Sequence, residues 1–229
     1  MALHVFEALH VFDMDGTLLR GTSASMQIAA YLGCAEDLAG LEARLAAGAI
    51  DTRNFATVIH RLWKNLTLPA VAEVFGICPW LDGIPDVCAD IRKRGERSAV
   101  ITMSPDFFAR NLLDLGFDDV MASRFPALPF HEPLDPGGIL TPADKVRIVA
   151  DLCHRHAVRP TRCVAYGDSM SDAPLFRRLT NTVAVNADHH LADLAAVSYA
   201  GGDLAEAYTL GRALLDAAEL PQVRSKGCG

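Results

Sequence analysis

Short runs of β-forming residues recur along the chain, at 9–12, 99–102, 163–166 and 182–185, and each is followed by a stretch with helical spacing. Strands that alternate with helices pair in parallel, because each helix carries the chain back along the sheet. The pattern therefore predicts an α/β domain built on a parallel sheet. Two of the runs end directly in acidic residues, Phe12-Asp13 and Tyr166-Gly167-Asp168, and a third ends in Thr102-Met103-Ser104. In an open sheet of this kind ligands bind beyond the carboxyl ends of the strands, so these three ends mark the expected site.

Helix signals fill the intervals. Ser104-Pro105-Asp106 offers an N-cap with Pro at the first helical position, and the helix that follows stops at Gly116; Thr141-Pro142 opens another that reaches about His156. Further helices are expected at 175–179, 191–196 and 204–215, where the apolar spacing suits packing against a sheet. The interval between the first two strands reads as helices alone, at 24–32, 38–47, 53–66 and 70–75. It is too long for a simple crossover and predicts a helical cap, residues 23–85, inserted into a core made of 1–22 and 86–229. Residues 125–142, rich in Pro and Gly, read as a surface flap or hairpin, and 224–229 as a flexible tail.

Composition narrows the partners. Lys and Arg number 21 against 28 Asp and Glu, a formal charge of −7, so no general field attracts phosphate backbones or anionic lipids, and neither nucleic acid nor membrane is an expected partner. No run of about 18 uncharged apolar residues occurs, and no basic region precedes an apolar stretch at the start, so neither a membrane span nor an export signal is expected. Six cysteines lack C-x-x-C spacing, and His154 with His156 have no nearby Cys pair to complete a zinc set; the thiols read as small core residues of a cytoplasmic protein.

The first acidic strand end continues Asp13-Met14-Asp15-Gly16-Thr17, with two carboxylates two residues apart where the chain leaves the sheet and Gly16 permitting a tight turn. Alone, the segment reads equally well as an Asx-type turn that happens to hold two acids. Thr102, Lys145 and Gly167-Asp168-Ser169-Met170-Ser171-Asp172 then follow in order. With these four motifs the chain resembles the haloacid dehalogenase (HAD) superfamily, and within it the phosphoserine phosphatase-like branch, through Thr141-Pro142-Ala143-Asp144-Lys145 and Val183-Ala184-Val185-Asn186-Ala187-Asp188. The resemblance implies a Rossmann-like core with a type 1 helical cap.

It also implies roles. Asp13 would attack phosphorus and carry an aspartyl phosphate. Asp15 would protonate the departing alkoxide and then accept a proton from the water that hydrolyses the intermediate. Mg²⁺ would be held by Asp13, Asp168 and the backbone carbonyl of Asp15. Thr102 and Lys145 would hold phosphoryl oxygens, and Asp172 would orient Lys145 and the metal shell. The need for a cation is physical: two unit charges 4 Å apart at an effective dielectric near 20 interact by ~4 kcal/mol, and a carboxylate meeting a phosphate dianion faces roughly twice that repulsion. Each residue also has a plainer reading, Thr102 as a turn residue, Lys145 as a solvated helix side chain and Asp172 as a helix cap.

An acid at Asp15 separates phosphatases and phosphomutases from the resembling transport ATPases, which have Thr there, and from the dehalogenases, which lack the acid. Lys64 is the only Lys between Asp15 and Lys93 and so the one candidate for a phosphonatase-like Schiff base; its place late in a helix reads instead as a solvated face. Phosphoserine phosphatases place an acidic residue soon after the first motif, an L-R-x-R segment in the cap and S-G-G at the second motif. This chain has Leu18-Leu19-Arg20-Gly21-Thr22, Phe55-Ala56-Thr57-Val58-Ile59-His60-Arg61 and Thr102-Met103-Ser104-Pro105 there. Arg20, His60, Arg61, Met103 and Ser104 are therefore the candidates for substrate specificity, while Trp63 reads as core and Arg61 also as an exposed face. The expectation is a Mg²⁺-dependent phosphatase for a small phosphorylated metabolite other than phosphoserine. The alternatives are a phosphomutase or phosphotransferase of the same superfamily, and a ligand-binding module that kept the fold and lost catalysis.

Overall fold

The structure is a computed structural model that describes residues 6–217; the tail expected at 224–229 and Cys228 lie outside the described residues. The chain opens with β1 (Leu9–Phe12), which leads into a small parallel ribbon of β2 (Asp15–Gly16) and β3 (Leu19–Arg20). Helices α1 (Ala24–Leu32), α2 (Ala35–Ala46), α3 (Thr52–Leu62) and α4 (Leu68–Ile77) follow. The rest alternates: α5 (Ile84–Lys93), β4 (Arg97–Pro105), α6 (Asp106–Ala109), β5 (Asp119–Ser123), α7 (Pro142–Arg155), β6 (Cys163–Gly167), α8 (Ala173–Phe176), β7 (Asn181–Val185), α9 (His189–Ala192), β8 (Val197–Tyr199) and α10 (Leu204–Ala217).

Six strands form one parallel sheet in the order β5-β4-β1-β6-β7-β8. The expected α/β architecture is therefore present. The chain builds outward from β1 through β4 and β5, then crosses back to place β6, β7 and β8 on the other side of β1. That reversal opens a crevice at the carboxyl ends of β4, β1 and β6, where an open sheet binds its ligands.

Both faces of the sheet are covered, which is why its central strands are nearly uniformly apolar. Leu9 and Val11 pack with Ile148, Val149 and Leu152 of α7 and Phe176 of α8. Phe12, Val100, Val164 and Tyr166 pack on the other face, in a cluster that includes Ile84, Val87 and Ile91 of α5 and Leu204 and Leu215 of α10. Among the described residues no helix is long and apolar enough to cross a membrane.

The four helices expected between the first two strands are α1–α4. The chain enters and leaves them side by side: Arg20 N–H donates to Pro79 O at 2.9 Å and Leu81 N–H donates to Leu18 O at 2.9 Å. Ser23 accepts the Met26 N–H to cap α1, and Asp51 and Thr67 cap α3 and α4 in the same way. The third helix ends at Leu62 rather than residue 66. Trp63 and Leu66 are both buried, but through a turn in which Leu66 N–H donates to Trp63 O, and that turn imitates helical spacing in the sequence.

Three further expectations need correction. β4 continues through Pro105, so Pro105 occupies the N-cap position of α6 and Ser104 caps nothing. The helix expected to reach residue 115 tightens after Ala109 into a 3₁₀ segment, Arg110–Leu115, before the left-handed Gly116. The helices expected at 175–179 and 191–196 are single turns, α8 and α9, because β7 and β8 begin within a few residues of each.

His10 is the one fully buried histidine of β1's core face, with Nδ1 3.0 Å from the Tyr166 hydroxyl and Nε2 3.0 Å from Glu96 Oε2. Glu96 already pairs with Arg212, so a neutral ring that donates to Glu96 and accepts from Tyr166 satisfies every partner. Burial holds the His10 pKa below its ordinary 6.5 against the pull of Glu96. Below that value the unfolded chain binds a proton that the folded chain resists, so this contribution to stability is present above pH 6.5 and is lost as the pH falls. Urea unfolding of wild type and His10→Gln from pH 5 to 7 should show the variant's stability falling less steeply on the acid side, by up to about 1.4 kcal/mol per pH unit. Parallel curves would contradict a neutral His10.

Candidate active site

The first residue past β1 is Asp13, whose N–H extends the ladder by donating to Tyr166 O at 2.9 Å, so the sheet itself aims this carboxylate into the crevice. Asp168 leaves β6 on the adjacent strand, and Asp172 stands at the N-terminal end of α8. Lys145 lies in the first turn of α7, which starts at a capping arrangement: the Asp144 carboxylate accepts both the Thr141 N–H (2.9 Å) and its hydroxyl (2.7 Å). The Lys145 stem is buried, 1% exposed, and its Nζ donates to Asp13 Oδ1 and to Asp172 Oδ1, each at 2.6 Å.

Two glycines make this approach possible. Gly16 has φ +78°, and a Cβ there would lie 2.0 Å from Asp168 Oδ2. A Cβ at Gly167 would lie 2.5 Å from Asp172 Oδ2. Asp172 does sit at the helix N-cap position, but its side chain serves Lys145 and, at 3.3 Å, the Asp168 N–H instead of the helix amides. Thr17 donates to Asp168 Oδ1 at 3.5 Å.

Asp13, Asp168 and Asp172 each place a carboxylate oxygen within 4.8 Å of the others. Burial pushes Asp168 up to about 7, with the charge of Asp172 adding to it. Burial also raises Asp13 well above the carboxylate range although Lys145 pulls the other way; burial works against the charge of Lys145 too, but the adjacent Asp13 and Asp172 outweigh it and raise its pKa. Three aspartates around a single ammonium leave negative charge in excess when all are ionised. All the donors are oxygens, so the set fits a small hard divalent cation.

Asp15 faces away from that cluster. Its Oδ1 accepts the Ala24 N–H at the start of α1 (2.7 Å), and its Oδ2 accepts the hydroxyls of Ser104 (2.6 Å) and Thr102 (3.2 Å). Burial raises its pKa against these three hydrogen bonds.

The structure thus brings together Asp13, Asp15, Thr102, Ser104, Lys145, Asp168 and Asp172. The other expected residues are elsewhere or only adjoin. Met103 is half-buried beside Thr102. Arg20 is exposed and lies over Gly202, where a Cβ would come 3.1 Å from its guanidinium. His60 stacks on Phe130 of the flap, ring centroids 4.6 Å apart, with its Nε2 3.0 Å from Glu132 O. Arg61 and Lys64 are exposed, and Trp63 is buried. Glu42 on α2 was not among the expected residues; its Oε1 accepts the Ser23 hydroxyl at 2.5 Å, close enough to Asp15 for that charge to raise its pKa beyond the effect of burial. One acid among the three of this helix, Glu36, Asp37 and Glu42, carries no local signal of this placement.

The sequence model of the haloacid dehalogenase-like hydrolases matches residues 10–177. A phosphoserine phosphatase from Archaeoglobus fulgidus is 24% identical over 192 residues, 82% of this chain and 55% of that protein, so the chain spans about half the length of this curated relative. Among solved structures, a HAD family hydrolase from Salmonella enterica serovar Typhi superposes with a TM-score of 0.77 at 20% identity, covering 89% of this chain and 71% of that one. A phospho-aspartyl intermediate analogue of phosphoserine phosphatase superposes with a TM-score of 0.75 at 20% identity, covering 89% and 98%.

Proposed function

The chain belongs to the haloacid dehalogenase-like hydrolase family, and from that premise we propose that it is a Mg²⁺-dependent phosphomonoesterase that forms an aspartyl phosphate on Asp13. The observation that carries this reading is Lys145 Nζ bound at 2.6 Å to both Asp13 and Asp172, with Asp168 beside them. A buried ammonium held this way favours the ionised form of Asp13 against its burial and holds the carboxylate in one orientation at the mouth of the crevice, as a nucleophile requires.

Asp13, Asp168 and the backbone carbonyl of Asp15 would hold Mg²⁺, which when bound supplies the positive charge that offsets repulsion between the carboxylate and a phosphate dianion. Lys145 and Thr102 are assigned to the phosphoryl oxygens, where their charge and hydroxyl stabilise the transferring group. Asp15 enters protonated, in keeping with its burial. It gives that proton to the leaving oxygen as the P–O bond breaks and takes one from the water that attacks the aspartyl phosphate.

Residues 23–85, containing α1–α4, form the cap in this reading, and 1–22 with 86–229 the core; the hydrogen-bonded segments at 18–20 and 79–81 run side by side where the two connect. Closure would exclude water and select the leaving group. The substrate is a small phosphorylated metabolite other than phosphoserine, since Leu18-Leu19-Arg20 offers no acid for an ammonium group. The five described cysteines are all free thiols, which suits the cytoplasm.

The test is release of inorganic phosphate. The purified chain with Mg²⁺, offered a panel of phosphorylated metabolites that includes phosphoserine, should free inorganic phosphate from at least one and stop when a chelator is added. A phosphorylated acceptor in place of free phosphate would assign phosphotransfer instead, and turnover that persists in chelator would remove the metal from the account.

A further inference from the structure

Ser104 was expected either to cap a helix or to help select the substrate; it caps nothing, and its hydroxyl is committed to Asp15. It is 7% exposed at the end of β4, Pro105 occupies the N-cap position, and the Ser104 hydroxyl donates to Asp15 Oδ2 at 2.6 Å. Its backbone is fixed in turn, because the Ser104 N–H donates to Thr102 Oγ1 at 3.0 Å. Ser104 and Asp15 stand 89 positions apart, and β4 and β1 are paired neighbours, so the sheet register sets their encounter.

The three donors to Asp15 are not equivalent. Ala24 offers a backbone N–H, which can only donate, so Oδ1 must always accept. A proton carried by this carboxyl group therefore resides on Oδ2, the oxygen facing Ser104 and Thr102. A hydroxyl can donate to an ionised oxygen and, after rotation, accept from a protonated one. Ser104 makes the shorter of the two hydroxyl contacts, 2.6 Å against 3.2 Å.

We infer that Ser104 is a positioning residue that holds Asp15 Oδ2 in place through both halves of the reaction, so that its proton is delivered to the leaving oxygen. The inference rests on the phosphomonoesterase reading above. In the first half-reaction the P–O bond to the leaving group breaks, the electron pair stays with the leaving oxygen, and the proton passes to it from Asp15 Oδ2. An alkoxide leaving group needs that proton, whereas a stabilised aryl oxide departs with little help.

The experiment compares kcat/KM, which reports steps up to departure of the leaving group, for a simple alkyl phosphate and for p-nitrophenyl phosphate. Ser104→Ala should lower kcat/KM for the alkyl ester by roughly 10- to 100-fold and for the aryl ester by no more than about threefold, while Ser104→Thr, which restores the hydroxyl, should return the alkyl rate to within about fivefold of wild type. If Ser104→Ala reduces the folded fraction seen by circular dichroism, Ser104→Cys, of similar size but a weak donor, carries the same prediction. Equal losses on both esters, or no loss on either, would overturn the positioning role while leaving the phosphatase reading intact. A wild-type chain that hydrolyses neither these esters nor any phosphomonoester of the metabolite panel overturns that reading and this inference with it.

Discussion

Asp13→Asn should abolish phosphate release without weakening the fold. The amide keeps the shape of the carboxylate but has no anionic oxygen to attack phosphorus, and removing a covalent nucleophile from a coupled catalytic set costs at least about a thousandfold in kcat. Stability should move the other way or not at all. Burial raises Asp13 by more than Lys145 lowers it, and the charges of Asp172 and Asp168 add to the rise, so its ionised form is held there at a cost. Neutralising it relieves that repulsion, while Lys145 keeps Asp172 as its partner at 2.6 Å. Sites built for reaction commonly carry this trade of stability for activity. Phosphate release and urea unfolding on the same preparation make the comparison, and acid-quenched wild type should carry a phosphoryl group on the peptide containing Asp13. Turnover within tenfold of wild type in the variant would end the covalent account.

Lys145→Met should abolish activity and weaken the fold together. Methionine fills much of the same volume but leaves the carboxylates of Asp13 and Asp172 buried, 7% and 2% exposed, without their shared cation. Breaking a buried pair from one side typically costs about 3–5 kcal/mol, because the remaining charge has neither water nor a partner. That is a large part of the total stability of a domain. Urea unfolding in metal-free buffer should show it, and phosphate release should fall at least about a thousandfold as the nucleophile loses its orientation and the phosphoryl oxygens lose an ammonium. A stability change below about 0.5 kcal/mol would mean that the ion pairs with Asp13 and Asp172 do not hold the site together. The two variants together separate the charge that reacts from the charge that organises.

The central strands were legible because burial on both faces selects nearly unbroken apolar runs, and residues 9–12 coincide with β1. The edge strands were not. β5, Asp119–Ser123, is mostly half-buried, and β8, Val197–Tyr199, is three residues long; neither carries enough apolar pattern to stand apart from a loop. Trp63 and Leu66 mimicked a helix from within a turn, since spacing records which side chains are buried and not how the backbone delivers them.

The site divides in the same way. Its acids were readable because Asp13 and Asp168 directly follow their strands, with Gly16, at φ +78°, turning the chain just after the first and Gly167 immediately before the second. By itself, the order of residues along the chain determined the parallel α/β frame and the placing of Asp13, Asp15 and Asp168 at strand ends, because strand periodicity and turn chemistry are local. Only the tertiary structure decided that Ser104 serves Asp15, that Asp172 serves Lys145 and not its own helix, that Glu42 reaches Ser23, and that His60 lies on the flap at Phe130. Those contacts join residues between 19 and 89 positions apart, and a hydrogen bond at such separation depends on strand order and helix placement, which belong to the folded chain as a whole.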